Sequence, residues 1–152
     1  EFRRVLFRSY KQTLGDKRGD FQVLLVHEWL PAVLTQTPSQ EVSGEAWYLF
    51  GHCTEVTALP TAPAQWASIF ARFGAKLESV NVGCCGMAGT YGHEVKNHAN
   101  SLAIYALSWQ QAMQRLPRNR CLVTGYSCRS QVKRIEGSGV RHPLQALLEI
   151  MG

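Results

Sequence analysis

The sequence predicts an α/β fold, an open and mostly parallel sheet with helices on its faces, formed by a single domain. From residue 46 onward, short apolar runs alternate with segments of helical period, and that order is typical of parallel sheets with crossover helices. The chain has 152 residues, the size of one compact domain. Its composition, 45% hydrophobic and 18% charged, is that of a globular protein.

The strands are predicted from three short apolar runs, at residues 46–53, 76–83 and 120–127. Between the first two runs, a helix is predicted over residues 64–75, because Trp66, Ile69, Phe70 and Phe73 recur at helical spacing. Further helices are predicted over 21–34 (disturbed by Pro31), over 93–116, for one or two turns from Cys128, and from Pro143, with loops at 10–20, 35–45 and 54–63.

The first nine residues differ from the rest. The stretch EFRRVLFRS has no clear period, and its last four residues can be encoded by the end of a common sequencing adapter. We therefore predict that residues 1–9 are a non-native leader, and that the native domain occupies residues 10–152.

Charge and cysteine content narrow the class of protein. The net charge is +5, and no Lys/Arg block recurs between aromatic residues, so nucleic-acid binding is disfavoured. No apolar run has the length of a membrane helix, so no membrane span is predicted. The five cysteines are an odd number and no signal peptide is recognisable, which favours a reducing, cytoplasmic compartment.

Four of the cysteines follow the predicted strands. Cys53 lies at the end of the first strand, Cys84 and Cys85 at the end of the second, and Cys128 just past the third. Because the carboxyl ends of parallel strands share one edge of a sheet, these thiols are expected to converge there. Cys121 begins its strand, so it is expected at the opposite edge as a buried apolar residue.

Convergent thiolates suit an iron–sulfur cluster or a tetrahedral zinc ion. The chain lacks the paired CxxC knuckles of structural zinc sites. Gly86 and Gly89 let backbone N–H groups approach the sulfur atoms, as in an anion nest. His52 could ligate iron, donate a hydrogen bond to sulfur, or simply pack locally. Reactive thiols without a metal remain an alternative.

A cationic segment follows the last of these cysteines. Arg129, Lys133 and Arg134 would offset the charge of a thiolate-bound cluster or dock an acidic partner, and a solvated face is the alternative.

Four ordered motifs resemble the cysteine-rich CCG domain: GHC (51–53), CCGMAGTYGHE (84–94), TGYSCRSQVKR (124–134) and HPLQALLE (142–149). That domain occurs in heterodisulfide reductase B subunits and in iron–sulfur parts of glycolate oxidase-like enzymes. The chain is most similar to the C-terminal end of large bacterial FAD-linked oxidoreductases, a group that includes D-2-hydroxyglutarate dehydrogenases and similar 2-hydroxyacid dehydrogenases.

The resemblance implies a cluster, of the 4Fe–4S type, with Cys53, Cys84, Cys85 and Cys128 as metal ligands. Gly125 stands where the family has the first cysteine of a Cys-x-x-Cys pair, so the pattern leaves one four-cysteine cluster or a mainly structural site.

The resemblance also implies partners. Flavin (FAD) and ferredoxin-type domains would precede this segment in the same polypeptide. An electron acceptor would receive the electrons that these domains and this segment carry. The chain alone is not expected to oxidise a substrate. A cytoplasmic location is expected, with a peripheral position at the inner membrane, through the electron acceptor, as an option. The other functions left open are a metal-free thiol–disulfide module and a cofactor-less docking domain.

Overall fold

A computed structural model describes residues 24–34 and 44–151 of the chain. The chain divides into two compact units, residues 1–37 and 38–152. In the first unit, helix α1 spans Val26–Val33. The Glu28 carboxylate accepts a hydrogen bond from the Leu25 backbone N–H at 2.7 Å, which satisfies one free donor at the start of the helix.

Helix α1 confirms the core of the predicted first helix, and Pro31 lies inside it, two residues before its end. Several other sequence-based predictions lie outside the described residues. They are the leader at 1–9, the loop at 10–20 and most of the loop at 35–45.

The second unit is built around a parallel sheet. Its strands are β1 (Trp47–Phe50), β2 (Leu77–Ser79) and β3 (Cys121–Val123), hydrogen-bonded in the order β2-β1-β3. Strand β1 is central and is buried at Trp47, Leu49 and Phe50, as expected for a parallel strand covered on both faces. The predicted α/β fold with an open parallel sheet is confirmed.

Helices follow each strand of this sheet along the chain. They are α2 (Cys53–Ala58), α3 (Ala62–Arg72), α4 (His98–Ala106), α5 (Trp109–Arg115), α6 (Tyr126–Glu136) and α7 (Pro143–Ile150). Short 3₁₀ turns are formed by Tyr91–His93, Val95–Asn97 and Arg118–Arg120. Pro143 occupies the first position of α7, as predicted.

The strands are shorter than predicted, and one helix was missed. Each predicted run of eight residues contains a strand of three or four residues. After β1 the chain turns into α2, in a region predicted as a loop. The His52 side chain starts this helix by accepting a hydrogen bond from the Thr54 N–H at 3.1 Å, a cap that apolar periodicity does not reveal.

The predicted helix over 93–116 was wrong as one continuous element. Its first residues form two 3₁₀ turns, and the remainder is divided into α4 and α5. The division falls at Ser108, whose φ of −148° is outside the helical region.

One buried cluster joins the helices to the carboxyl ends of β1 and β3. It includes the aromatic residues Phe50, Tyr105 and Trp109, of which Trp109 stacks on both neighbours with ring centroids 5.1 and 6.1 Å apart. The same cluster contains three of the five cysteines, Cys85, Cys121 and Cys128. The cysteine region is thus part of the hydrophobic core.

Candidate functional site

Cys53 is the first residue of α2, directly after the turn that leaves β1. The preceding residue, His52, is 7% exposed, and its Nδ1 atom accepts the N–H of Thr54. Nδ1 is therefore occupied as a helix cap. The structure therefore supports a role of His52 in local packing and in capping α2 through Nδ1.

Cys84 and Cys85 follow β2, and Cys53 follows the parallel strand β1, so all three come after the carboxyl ends of strands at the same edge of the sheet. Cys84 is half-buried and Cys85 is 3% exposed, so the two neighbours point into different environments. The Cys53 thiol lies close enough to Cys84 to raise the pKa of the Cys84 thiol. Cys53 and Cys84 are thus near each other, and the predicted convergence of all four thiols stays a prediction.

The surroundings of Cys84 favour the protonated form of its thiol. Burial raises the pKa of the Cys84 thiol, and the neighbouring Cys85 and Cys53 raise the pKa further. The backbone N–H of Gly86, 3.3 Å from Cys84 Sγ, acts in the opposite direction because it would stabilise the thiolate. The predicted approach of a backbone N–H to sulfur is thus present at Gly86.

Positive φ angles shape the turn after the cysteine pair. Gly86 has a φ of +84° and Gly89 a φ of +69°, and Ala88 between them has a φ of +38°. Such backbone conformations favour glycine. They turn the chain back sharply behind the thiols.

Cys128 is the third residue of α6, in the first turn of that helix, and is 1% exposed. It lies in the same buried cluster as Cys85. Gly125, where the family pattern has a cysteine, is the residue that precedes the helix. Cys121 begins β3 at the other end of the strand and is 1% exposed, as predicted for an apolar core cysteine.

Two polar residues at this edge were missed from the sequence. The Thr124 hydroxyl, directly after β3, accepts the backbone N–H of His52 at 2.9 Å and donates to the Glu55 carboxylate. These bonds tie the ends of β1 and β3 together beside Cys53. Both residues lie within the motifs GHCTE and VTGYSC, so their position next to the cysteines was the available signal.

In the predicted cationic segment after Cys128, Lys133 and Arg134 are exposed, and the two arginines also bind backbone carbonyls. Arg129 donates to the carbonyl oxygens of Val123 and Thr124, at 2.9 and 3.1 Å. Arg134 donates to the Gly92 carbonyl. Both guanidinium groups therefore hold backbone of the site in place, because a fork of N–H donors suits clustered carbonyls.

The residue types fit an iron–sulfur cluster, because thiolates are its usual ligands and Cys53, Cys84, Cys85 and Cys128 all come after the carboxyl ends of the strands. In the described residues, however, these side chains are not grouped as a metal site. Among residues 24–34 and 44–151, no three His, Cys, Asp or Glu side chains are grouped closely enough to hold a metal ion. In the part of the chain that the structure describes, no helix is long and apolar enough to cross a membrane.

The fold and the site define a cysteine-rich α/β domain in which Cys53, Cys84 and Cys85 follow the first two strands of a parallel sheet and Cys128 lies in the helix after the third. The chain is 77% identical over 143 residues to the D-2-hydroxyglutarate dehydrogenase of Escherichia coli (strain K12), and 70% identical to that of Pantoea ananatis (strain AJ13355). It is 49% identical over 151 residues to the enzyme of Haemophilus influenzae. Each match covers 94% of the chain.

These matches cover a small part of the relatives. The chain spans 14% of the length of the Escherichia coli and Pantoea proteins and 15% of the Haemophilus protein. No family profile and no solved structure matches the chain. The predicted resemblance to D-2-hydroxyglutarate dehydrogenases is confirmed, and the chain is the counterpart of one segment of a larger enzyme.

Proposed function

We propose that this chain is the C-terminal electron-transfer domain of an FAD-linked 2-hydroxyacid dehydrogenase resembling D-2-hydroxyglutarate dehydrogenase. The similarity to enzymes of that name supports the assignment to a dehydrogenase. The nearness of Cys53 to Cys84 supports the electron-transfer role, and it is the observation on which the proposed cluster depends. These thiols come from separate elements, α2 and the turn after β2, as cluster ligands commonly do.

The residues that would hold a 4Fe–4S cluster are Cys53, Cys84, Cys85 and Cys128. A bound cluster supplies reversible one-electron transfer. The chain itself supplies the thiolates and excludes water, because Cys85 and Cys128 lie in the buried cluster. The Gly86 N–H already donates to a ligand sulfur and so would stabilise its charge, and Gly89 shapes the same turn.

The remaining parts of the reaction belong to the rest of the enzyme. We propose that an upstream flavin domain oxidises the 2-hydroxyacid, and that a ferredoxin-type domain and this domain pass the electrons to an acceptor. The CCG identity of the domain, the acceptor and a peripheral association with the inner membrane are parts of the same proposal.

The test is anaerobic reconstitution of the complete 152-residue chain with iron and sulfide. We expect a brown protein with broad visible absorption, stoichiometric iron and sulfide, and an electron paramagnetic resonance signal after reduction. A folded protein that stays colourless and iron-free after reconstitution would contradict the proposal.

Single substitutions separate ligands from other cysteines. Cys53→Ser, Cys84→Ser, Cys85→Ser and Cys128→Ser are each expected to lower iron content markedly. The matched control is Cys121→Ser, since Cys121 is also buried but lies at the opposite end of β3. Its thiol donates to the Pro117 carbonyl at 3.4 Å, a bond that serine can keep. Equal iron loss in the control would show that the substitutions act through folding.

A second candidate function is metal-free thiol–disulfide chemistry, because Cys53 and Cys84 lie near each other. A nucleophilic cysteine needs a lowered pKa, whereas the pKa of Cys84 is raised, chiefly by burial. We therefore expect Cys84 in the metal-free chain to react with iodoacetamide more slowly at pH 7 than an unburied thiol. Rapid alkylation of Cys84, together with a trapped mixed disulfide, would favour the thiol–disulfide function instead.

A further inference from the structure

The break between α4 and α5 places a serine in an unusual role. Ser108 is the residue before α5, a position where a serine hydroxyl normally accepts an N–H of its own helix. It makes no such bond. Its Oγ atom instead accepts the backbone N–H of Gly83 at 3.1 Å, from a residue 25 positions earlier in the chain.

The next residue completes the contact with the same glycine. The indole N–H of Trp109 donates to the Gly83 carbonyl oxygen at 2.9 Å. Both polar groups of the Gly83 backbone are therefore bonded to two consecutive side chains. Trp109 is 1% exposed and its ring packs between Phe50 and Tyr105, so the donor is held rigidly by the core.

Gly83 directly precedes Cys84. On the other side of the cysteine pair, the Gly86 N–H donates to Cys84 Sγ. Hydrogen bonds thus hold the backbone on both sides of the cysteine pair, at Gly83 and at Gly86. We propose that Ser108 and Trp109 are positioning residues that set the direction of the Cys84 and Cys85 thiols through the backbone of Gly83. This inference rests on the proposed iron–sulfur function for the use of those thiols, but its geometry does not depend on a metal.

The physical reason for such a contact is preorganisation. The thiols of a cysteine pair in a turn can adopt several orientations. A set of ligands binds a metal best when supporting hydrogen bonds allow only one of these orientations. The carbonyl of Gly83 belongs to the peptide bond that leads into Cys84. Holding that peptide plane restricts the backbone torsions of Cys84 and therefore the path of its side chain.

The first test uses the metal-free 152-residue chain. Trp109→Phe keeps an aromatic ring but removes the indole N–H, and Ser108→Ala removes the acceptor of the Gly83 N–H. We expect each variant to raise both hydrogen exchange in a peptide covering residues 80–87 and iodoacetamide alkylation of Cys84 by about fivefold, the factor that one hydrogen bond supplies. Ser108→Thr retains a hydroxyl and should restore both rates.

Trp66→Phe is the matched control, because Trp66 is an equally buried tryptophan in α3. It is expected to leave both rates near those of the unmodified sequence. Unchanged exchange and alkylation in Trp109→Phe and Ser108→Ala would overturn the inference, and so would an equal increase in the control.

The second test uses the reconstituted chain and separates this inference from the proposed function. We expect Trp109→Phe and Ser108→Ala to bind iron but to shift the electron paramagnetic resonance spectrum or the reduction potential, changes that a loss of stability alone does not produce. Spectra identical to the unmodified chain would contradict the positioning role. If the unmodified chain binds no iron, the proposed function fails, while the exchange and alkylation rates still decide this inference.

Discussion

Gly86 lies against Ser101 so closely that a Cβ atom on Gly86 would stand 2.2 Å from the Ser101 carbonyl oxygen. This contact joins the turn of the cysteine pair to α4. Nearby, Gln131 of α6 would lie 3.2 Å from the same Cβ atom. The turn therefore sits in a space that has room for glycine and for no larger residue.

Gly86→Ala is expected to destabilise the fold by about 2–4 kcal/mol, because backbone cannot move aside as a flexible side chain would and because the φ of +84° is strained for alanine. The measurement is urea unfolding followed by circular dichroism. Gly137→Ala is the control, with a similar φ of +72° but no atom within 4 Å, and it should cost only about 1 kcal/mol. Equal losses would show that the close approach to Ser101 is unimportant.

The order of elements and the cysteine edge were predictable because both depend on local patterns. Apolar runs predicted the three strands, and the rule that parallel strands end at one edge predicted that Cys53 and Cys84 lie near each other. The face of α3 was also correct, since Trp66, Ile69 and Phe70 are all buried.

The errors came from side chains that bond far along the chain. The division of the predicted long helix depends on Ser108 and its bond to Gly83, and no window of sequence contains both. Arg134 is exposed, as a cationic face requires, but the sequence did not reveal its bond to the carbonyl of Gly92, 42 positions away. Helical periodicity says which residues share a face and nothing about distant carbonyl oxygens.

A buried polar pair between α4 and α6 gives a second prediction. Gln131 and Ser101 are fully buried, and the Gln131 amide donates to Ser101 Oγ at 2.9 Å while its oxygen accepts from Arg134 at 2.6 Å. Gln131→Met removes these bonds and a further one to the Ser101 carbonyl at 3.4 Å, so we expect a loss of about 1–3 kcal/mol in unfolding free energy.

Lys133→Met, two residues further along the same helix, is the comparison, because Lys133 is exposed. It should change the unfolding free energy by no more than about 0.5 kcal/mol. Should Gln131→Met unfold at the same urea concentration as Lys133→Met, the buried pair would contribute little.

Tyr105 gives a third prediction. Its hydroxyl, buried in α4, donates to the Glu136 carboxylate at 3.0 Å, and Arg118 binds the other oxygen of that carboxylate at 2.9 Å. Tyr105→Phe keeps the ring stacked on Trp109 and removes a bond to a charged group, so it should cost about 1.5–3 kcal/mol. Tyr126→Phe is the control, since the Tyr126 side chain is 73% exposed. Equal urea midpoints in the two variants would argue against the Tyr105 bond.

The last prediction concerns alkaline pH. Burial raises the pKa of Cys121 from its ordinary 9.0 to about 11, and Arg118 opposes this shift. Because the folded state keeps the proton longer than the unfolded state, the folded state binds more protons between these two values, and stability falls as pH rises. The contribution of Cys121 is fully present below pH 9.0 and is lost as the pH approaches about 11.

Two pKa units correspond to about 2–3 kcal/mol. Unfolding free energies measured between pH 8 and pH 11 should therefore decline less steeply in Cys121→Ser, whose hydroxyl does not titrate in this range, than in the unmodified chain. Ser68→Ala is a suitable comparison because Ser68 is exposed on α3 and its hydroxyl does not titrate in this range. Parallel pH profiles for Cys121→Ser and the unmodified chain would mean that the Cys121 thiol is not protected by burial.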